Sequence, residues 1–423
     1  MNLEKSSALN LHRALLLCTL LAAGALRAES LALQTPGGEL LQVHAQRVLR
    51  LKGGDLAARG FAHGYLLSRE SVKALESAIT SLPGMNADKY EHDFLPWARK
   101  NFVWDADAIE ELDGIYAGVK ARLGASGLHS AILSRDFSRE DAAMINVLAD
   151  YYGPACSAFS AWGERTPDGK VVHGRTLDFP IGTDAIAAQI IVACDALPAR
   201  GTGHPARKGF VAIGWPGMIT QYTGMNDSGL VVCIHDGTNI AAHEKDAGGC
   251  IARGLLLRRM LERVDPAESD PAIAGSKLTA EFNLAGGNLF HLSWPLDAAI
   301  KTHTAPSAVL EFDASINKHA AIIRRPEIDG FMVLTNHFCQ LNHAVQCERC
   351  LHITSGIDIL NQLHQKIGLT EARKLLKSAE LPIAAHSIYF YPDTKDFYLA
   401  LTKRNIMSPS VAPVKFSWAE VMQ

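Results

Sequence analysis

Apolar residues recur every three to four positions through Val72, Leu75, Ile79 and Leu82, and on this spacing residues 66 to 124 read as mostly helical. Ser138, with Asp141 three residues on, predicts a capping box that opens a helix through Met144, Val147 and Leu148. Gly153-Pro154 stops that helix, and from Cys156 to Trp162 the pattern becomes strand-like. Thr166-Pro167-Asp168-Gly169 predicts a turn, because proline presets its backbone angle and glycine tolerates positive φ. Residues 170–179 then return as the second strand of a hairpin. Further strands are expected at 187–193, 209–215, 229–234, 309–312, 320–324, 331–335 and 387–401, and helices at 250–264, 270–282, 353–367 and 370–379. Asp270 is a natural N-cap and Pro271 suits the first helical position. Strands interrupted by a block of helices predict an α+β architecture, with helices covering antiparallel sheets.

Composition narrows the function. The 423 residues are 48% hydrophobic and 20% charged, enough apolar surface for a sizeable core. A net charge of -3 gives no electrostatic reason to expect nucleic acid as a partner. Lys5 and Arg13 precede an apolar run from Ala14 to Leu26, with small residues at Gly24, Ala25 and Ala28, so residues 1–28 read as an export leader. That run is shorter than the roughly 20 residues a bilayer span needs, and no stable membrane anchor is expected. The mature protein is therefore placed outside the cytoplasm, periplasmic or secreted. Seven cysteines follow the leader: Cys156, Cys194, Cys233, Cys250, Cys339, Cys347 and Cys350. In an oxidising setting an odd number predicts disulfide pairs plus one free thiol, and Cys156 is the candidate for the free one.

Hairpin geometry supplies the first chemical clue. The midpoints of Cys156 with Asp178 and of Cys156 with Arg175 both fall in or beside the turn, so Arg175 and Asp178 are expected close to Cys156, within a residue or two of register. Cleavage of the Ala155-Cys156 bond would give Cys156 a free α-amine of pKa about 7.7 to 8.0, suited to general-base work near neutral pH. The residue would then carry both nucleophile and base. A thiol of pKa about 8.5 is little ionised at neutral pH, and the Arg175 cation favours its thiolate.

Cys156-Ser-Ala-Phe, followed by Val172-His-Gly-Arg-Thr-Leu-Asp178-Phe-Pro180, resembles the start of the mature β-chain in the cysteine N-terminal-nucleophile hydrolases. That family includes isopenicillin N acyltransferases, acid ceramidases, N-acylethanolamine amidases and choloylglycine hydrolases. The segment from Trp215 through Gly224 and Asn226 to Gly229-Leu230 is similar to the family's glycine-rich approach and its N-[ED]-x-G-L turn. Phe331-Met-Val-Leu-Thr335-Asn336-His337-Phe338 is similar to its T-N-H-F strand. Gly60, His63 and Gly64 resemble the start of the acyltransferase pro-chain.

The resemblance implies an αββα sandwich of two stacked antiparallel sheets between helical layers. It also implies self-cleavage before Cys156 into a largely helical α-chain, 29–155, and a β-chain, 156–423. The expected substrates are small N-acyl amides, attacked through an acyl-cysteine without any cofactor. Asn336 would hold the oxyanion. Relatives carry asparagine or tyrosine a few residues after G-L for the same task; here His235 takes the matching position, followed by Asp236, which cannot donate while ionised. A final family arginine best matches Arg349.

One reading from another class competes with this enzyme. His337, Cys339, His343, Cys347, Cys350 and His352 form a dense set of possible ligands, and Cys347-x-x-Cys350 has a recognised zinc spacing. An exported metal- or ligand-binding protein using residues 337–352 is the alternative.

Overall fold

The computed structural model describes residues 33–200, 205–237, 248–313, 320–327, 330–341, 347–404 and 406–423. The expected leader and His343 lie outside these. In chain order the strands are Leu33–Thr35 (β1), Gly38–Val43 (β2), Gln46–Leu51 (β3), His129–Ser130 (β4), Arg135–Asp136 (β5), Ala155–Ala161 (β6), Val172–Asp178 (β7), Ile190–Cys194 (β8) and Phe210–Gly214 (β9). They continue with Thr223–Asn226 (β10), Val231–Gly237 (β11), Gly287–Ser293 (β12), Ser307–Asp313 (β13), Ile322–Arg324 (β14), Phe331–Leu334 (β15), Ala384–Tyr391 (β16), Asp396–Leu401 (β17) and Val414–Phe416 (β18). One sheet runs β1-β2-β3-β8-β9-β10-β11-β12-β13-β14, and a second runs β15-β6-β7-β16-β17-β18.

Side-chain alternation stacks these sheets. Along β8, Ile190, Val192 and Cys194 face a core shared with helices, whereas Ile191 and Ala193 face the second sheet. Val211, Val231 and Cys233 meet Ile388, Phe390 and Phe397 of β16 and β17 in that inter-sheet layer. The far side of the first sheet is covered by helices including Ser68–Ser81 and Arg253–Arg263. Helices Glu348–Gln362 and Leu369–Ser378 cover the outer face of the second sheet. The αββα layering is therefore present. No described helix is long and apolar enough to cross a membrane.

Several local expectations hold in atomic detail. Ser138 and Asp141 form both bonds of the capping box, and Asp270 caps a helix that begins at Pro271. Others need correction. The sheets are not wholly antiparallel, because β3 pairs with β8 in parallel register, Val48 opposite Ile191. Residues 387–401 form two strands, β16 and β17, joined through a turn at residues 392–395. Strand β12 escapes a search for alternation because it is buried on both faces. The segment 34–155 is not simply helical, since its β2-β3 hairpin adds to the ten-stranded sheet.

Within that segment two helices pack closely, and the second of them is tied to the rest of the chain. Helices Leu56–Leu66 and Ala106–Leu123 cross at glycines: a Cβ on Gly64 would lie 1.9 Å from the Ile115 carbonyl oxygen, and one on Gly118 2.2 Å from that of Phe61. The second helix then presents Glu111 to Arg258, at 2.8 Å. Arg258 also reaches Glu262 at 2.9 Å, and Arg259 joins Glu262 to Asp105 at 2.8 and 2.9 Å. Burial opposes a charge on Glu262, but the surrounding arginines outweigh it and hold this carboxyl well below the usual range. The Glu111–Arg258 and Asp105–Arg259 pairs cross the expected cleavage point, so a cut chain would remain assembled.

Candidate active site

The β6-β7 hairpin builds the site. Ala155 pairs with Asp178, Cys156 with Leu177 and Ala158 with Arg175, within one residue of the register expected from the turn. Gly169 closes the turn at φ +77°, where a side chain would strain it. Residues directly opposite share a face, so Arg175 reaches Cys156 from one side of the sheet while Asp178 lies on the other.

Cys156 is held through every polar atom. Its backbone N–H donates to Asn336 Oδ1 at 2.8 Å, and its carbonyl accepts from Arg349 Nη1 at 3.3 Å. Arg175 Nη2 donates to the thiol sulfur at 3.1 Å and to the Ile234 carbonyl at 3.0 Å. Arg349 also donates to Asp178 Oδ2 at 3.3 Å and to Asn336 Oδ1 at 2.8 Å. Asn336 Nδ2 donates to the carbonyls of Asp236 at 2.8 Å and Pro154 at 3.3 Å. Cys156, Arg175, Asp178, Asn336 and Arg349 thus converge from β6, β7, the end of β15 and the first turn of helix Glu348–Gln362. Ala155 sits in the same cluster, opposite Asp178.

Burial sets the protonation states. It pushes the Cys156 thiol up; Arg175 opposes that, and the Asp178 charge reinforces it. Burial also lifts Asp178 to about 7, against the pull of Arg349 and Arg175, and its Oδ1 has no hydrogen-bond partner. This carboxyl can therefore take or give a proton near neutral pH. Three residues before the cleavage point, Gly153 takes φ +67° beneath Asp236, a place with no room for a Cβ. Arg253 joins Asp236 to Asp150, which burial lifts to about 6.

His235 is fully buried on the inter-sheet side of β11. Its ring centroid lies 6.5 Å from that of His291, and burial, followed by the field of Arg175, keeps it neutral. The inter-sheet layer also holds the Arg175 guanidinium that grips the Cys156 thiol, so His235 stands beside the nucleophile, next to the Cys156 backbone. The Asp236 carbonyl accepts from Asn336 Nδ2 and orients that amide.

Sequence reasoning missed the residues that hold Arg175. Its Nη1 donates to Thr223 Oγ1 and, at 3.3 Å, to His386 Nε2. His386 must then carry its proton on Nδ1, which donates to Gln189 Oε1 at 2.6 Å. Burial and Arg175 keep this ring neutral, as an acceptor requires. His386 stands 211 positions from Arg175, so no spacing signal could have paired them.

Beside this centre lies a small apolar pocket lined by residues including Ala78, Leu148, Phe179, Trp215, Met218 and Tyr222. Phe179 follows Asp178 in the chain, and Tyr222 precedes Thr223. No charged side chain lines it.

Known folds resemble this one at low identity. The chain is similar to a Caenorhabditis elegans N-acylethanolamine-hydrolyzing acid amidase ortholog, at 14% identity over 56% of this chain and 93% of that one, with TM-score 0.39. It is also similar to a conjugated bile acid hydrolase from Clostridium perfringens, at 11% identity over 63% and 94%, with TM-score 0.40. A penicillin V acylase from Agrobacterium tumefaciens aligns at 12% identity over 59% and 84%, with TM-score 0.38. No family model and no curated protein matches the chain.

The cysteines correct a further expectation. All seven described cysteines are free thiols. Cys233 points between the sheets, whereas Cys194 and Cys250 lie in the helix-side core, so each serves as a small buried apolar residue. The metal-binding reading of 337–352 also lacks geometry, since no three His, Cys, Asp or Glu among the described residues converge to hold an ion. His352 turns away to the Ser378 carbonyl at 3.0 Å. His337 contacts Thr335 Oγ1 at 3.1 Å.

Proposed function

We propose that this chain is an exported, self-processing N-terminal-nucleophile enzyme that cleaves or transfers the acyl group of small N-acyl amides. The observation that carries this reading is the separate grip on the two reactive atoms of Cys156: nitrogen on Asn336 at 2.8 Å, sulfur on Arg175 at 3.1 Å.

Maturation begins with attack of the Cys156 sulfur on the Ala155 carbonyl carbon. The carbon–sulfur bond forms, the Ala155-Cys156 carbon–nitrogen bond breaks, and the nitrogen leaves as an amine carrying the thiol proton. Asp178, on the far face from the sulfur, steadies Arg349 against the Cys156 carbonyl and Asn336 while this happens. Water then opens the thioester and frees the carboxyl end of the 29–155 α-chain. The new α-amine stays on Asn336 Oδ1 and serves as the base for later turnover.

In turnover, the Cys156 thiolate attacks the substrate carbonyl under the Arg175 cation. Departure of Pro154 frees an N–H of Asn336 Nδ2 for the developing oxyanion. The acyl-cysteine passes to water or to a bound amine. The uncharged lining of the adjacent pocket suits an apolar acyl group.

A panel of N-acyl amides of graded chain length, assayed with wild type and Ala78→Phe, tests this. Filling the pocket is expected to depress turnover of long-chain substrates selectively while self-cleavage continues. Equal loss across the panel, or no amide turnover by cut protein, would remove the substrate assignment.

A further inference from the structure

Cys347 and Cys350 take part in none of these steps. Cys347 caps helix Glu348–Gln362 with extended backbone, φ -70° and ψ 136°, and the Cys350 N–H donates to its carbonyl at 2.9 Å. An N-cap side chain faces the third residue of its helix, the relation that lets serine and glutamate bond in a capping box. Here both positions carry thiols. One hydroxyl, Thr335 Oγ1, meets Cys350 Sγ at 3.1 Å and also hydrogen-bonds the Cys347 thiol. The two sulfurs therefore share one hydroxyl, at the N-cap and third position of one helix turn.

The pair is also asymmetric. Cys347 is partly exposed and Cys350 is buried. Burial tends to raise the Cys347 thiol, but the Thr335 hydroxyl and Arg349 outweigh it and leave the thiol below its ordinary value. Burial pushes Cys350 up to about 11. An accessible, more acidic thiol beside a buried, less acidic one gives thiol–disulfide exchange its attacking and resolving members. Between the two sits Arg349, whose guanidinium binds Cys156, Asp178 and Asn336.

We propose that Cys347 and Cys350 form a thiol–disulfide exchange site for low-molecular-weight disulfides, and that its oxidation slows chemistry at Cys156 by shifting Arg349. Cys347 thiolate attacks one sulfur of the incoming disulfide, forming a mixed disulfide and expelling one thiolate, which takes up a proton. Cys350 then attacks Cys347 Sγ, forming the intramolecular bond and expelling the second thiolate; the Cys350 proton passes to solvent. Two protein thiols are oxidised and one external disulfide is reduced to two thiols. The disulfide takes the thiols from Thr335, the residue before Asn336, and tightens the turn that carries Arg349. The rate effect rests on the function proposed above; the exchange chemistry does not.

The test poises full-length wild type, Cys156→Ala, Cys347→Ser and Cys350→Ala in glutathione buffers of graded ratio. Trapped peptides are then mapped by mass, and self-cleavage and turnover are measured alongside. A Cys347–Cys350 bond is expected in wild type and in Cys156→Ala, together with a mixed glutathione disulfide on Cys347 in Cys350→Ala. Wild-type turnover should fall at least about tenfold on oxidation, as loss of a charged hydrogen bond implies, and recover with a dithiol. Cys347→Ser should keep its reduced rate and resist the loss. Both thiols still alkylatable at every ratio, or Cys350 bonded to Cys339, would overturn the exchange site. Equal loss in wild type and Cys347→Ser would assign the inactivation to Cys156 itself and overturn the coupling. If Cys347→Ser fails to fold, the Cys350→Ala adduct and the Cys156→Ala map still decide the exchange site.

Discussion

Replacing Asp178 with asparagine should change how stability depends on pH more than it changes stability itself. Burial lifts this carboxyl from an ordinary 3.8 to about 7, although Arg349 and Arg175 both favour its charge. The folded chain therefore holds a proton that the unfolded chain has released between those values. Folding stability must fall as pH rises through that window, and the loss is complete above the folded pKa. At about 1.4 kcal/mol per unit, the whole window is worth about 4 kcal/mol, and the part between pH 5 and pH 8 about 3 kcal/mol. Asparagine fills the same space without a titrating proton. The buried neutral histidines, including His63 and His173, both lowered to about 3 by burial, oppose folding in acid but do so equally in both proteins. The comparison is best made in a Cys156→Ala background, where no cleavage intervenes, by guanidinium unfolding at several pH values. The stability of the aspartate protein, relative to the asparagine variant, should drop by about 3 kcal/mol from pH 5 to pH 8. A gap that stays constant, or one that moves in favour of aspartate as pH rises, would mean that the two arginines win over burial and that Asp178 is a fixed anion.

Asn336→Ala removes the amide that holds both the Cys156 nitrogen and the Pro154 carbonyl, and should slow self-cleavage about 100- to 1000-fold, seen as persistent precursor in a time course. His386→Ala deprives Arg175 Nη1 of an acceptor; self-cleavage should slow about tenfold and its pH–rate profile should move to higher pH, because the thiolate loses part of its cation's support. A uniform drop with an unmoved profile would make His386 merely structural. Gly64→Ala drives a methyl into the Ile115 carbonyl and should cost about 2 to 3 kcal/mol of stability by denaturant midpoint, while an alanine at the exposed, unconstrained Gly84 would strain only its own turn.

The hairpin at the heart of the site was legible because its signals are local. The Pro167-Asp168-Gly169 turn fixes register to within a residue, and register alone brings Arg175 and Asp178 to Cys156. The capping box at Ser138 and the Asp270-Pro271 helix start were legible for the same reason. The hold of Thr223, Gln189 and His386 on Arg175 joins residues from three strands and a loop, an arrangement only the assembled sheets create. Cysteine counting failed because it assumed pairing, whereas most of these thiols fill apolar positions in separate layers. The parallel β3-β8 pair was hidden because nothing local joins residues 46–51 to 190–194: these first strands complete a sheet built mainly after Cys156.

The most direct measurement is the intact mass and N-terminal sequence of purified protein beside a Cys156→Ala control. Self-processing predicts two associated chains, one beginning Cys-Ser-Ala-Phe, and a control that stays whole. A wild-type chain that folds, binds its own Ala155-Cys156 junction in the site and remains uncut over days would contradict the proposed nucleophile.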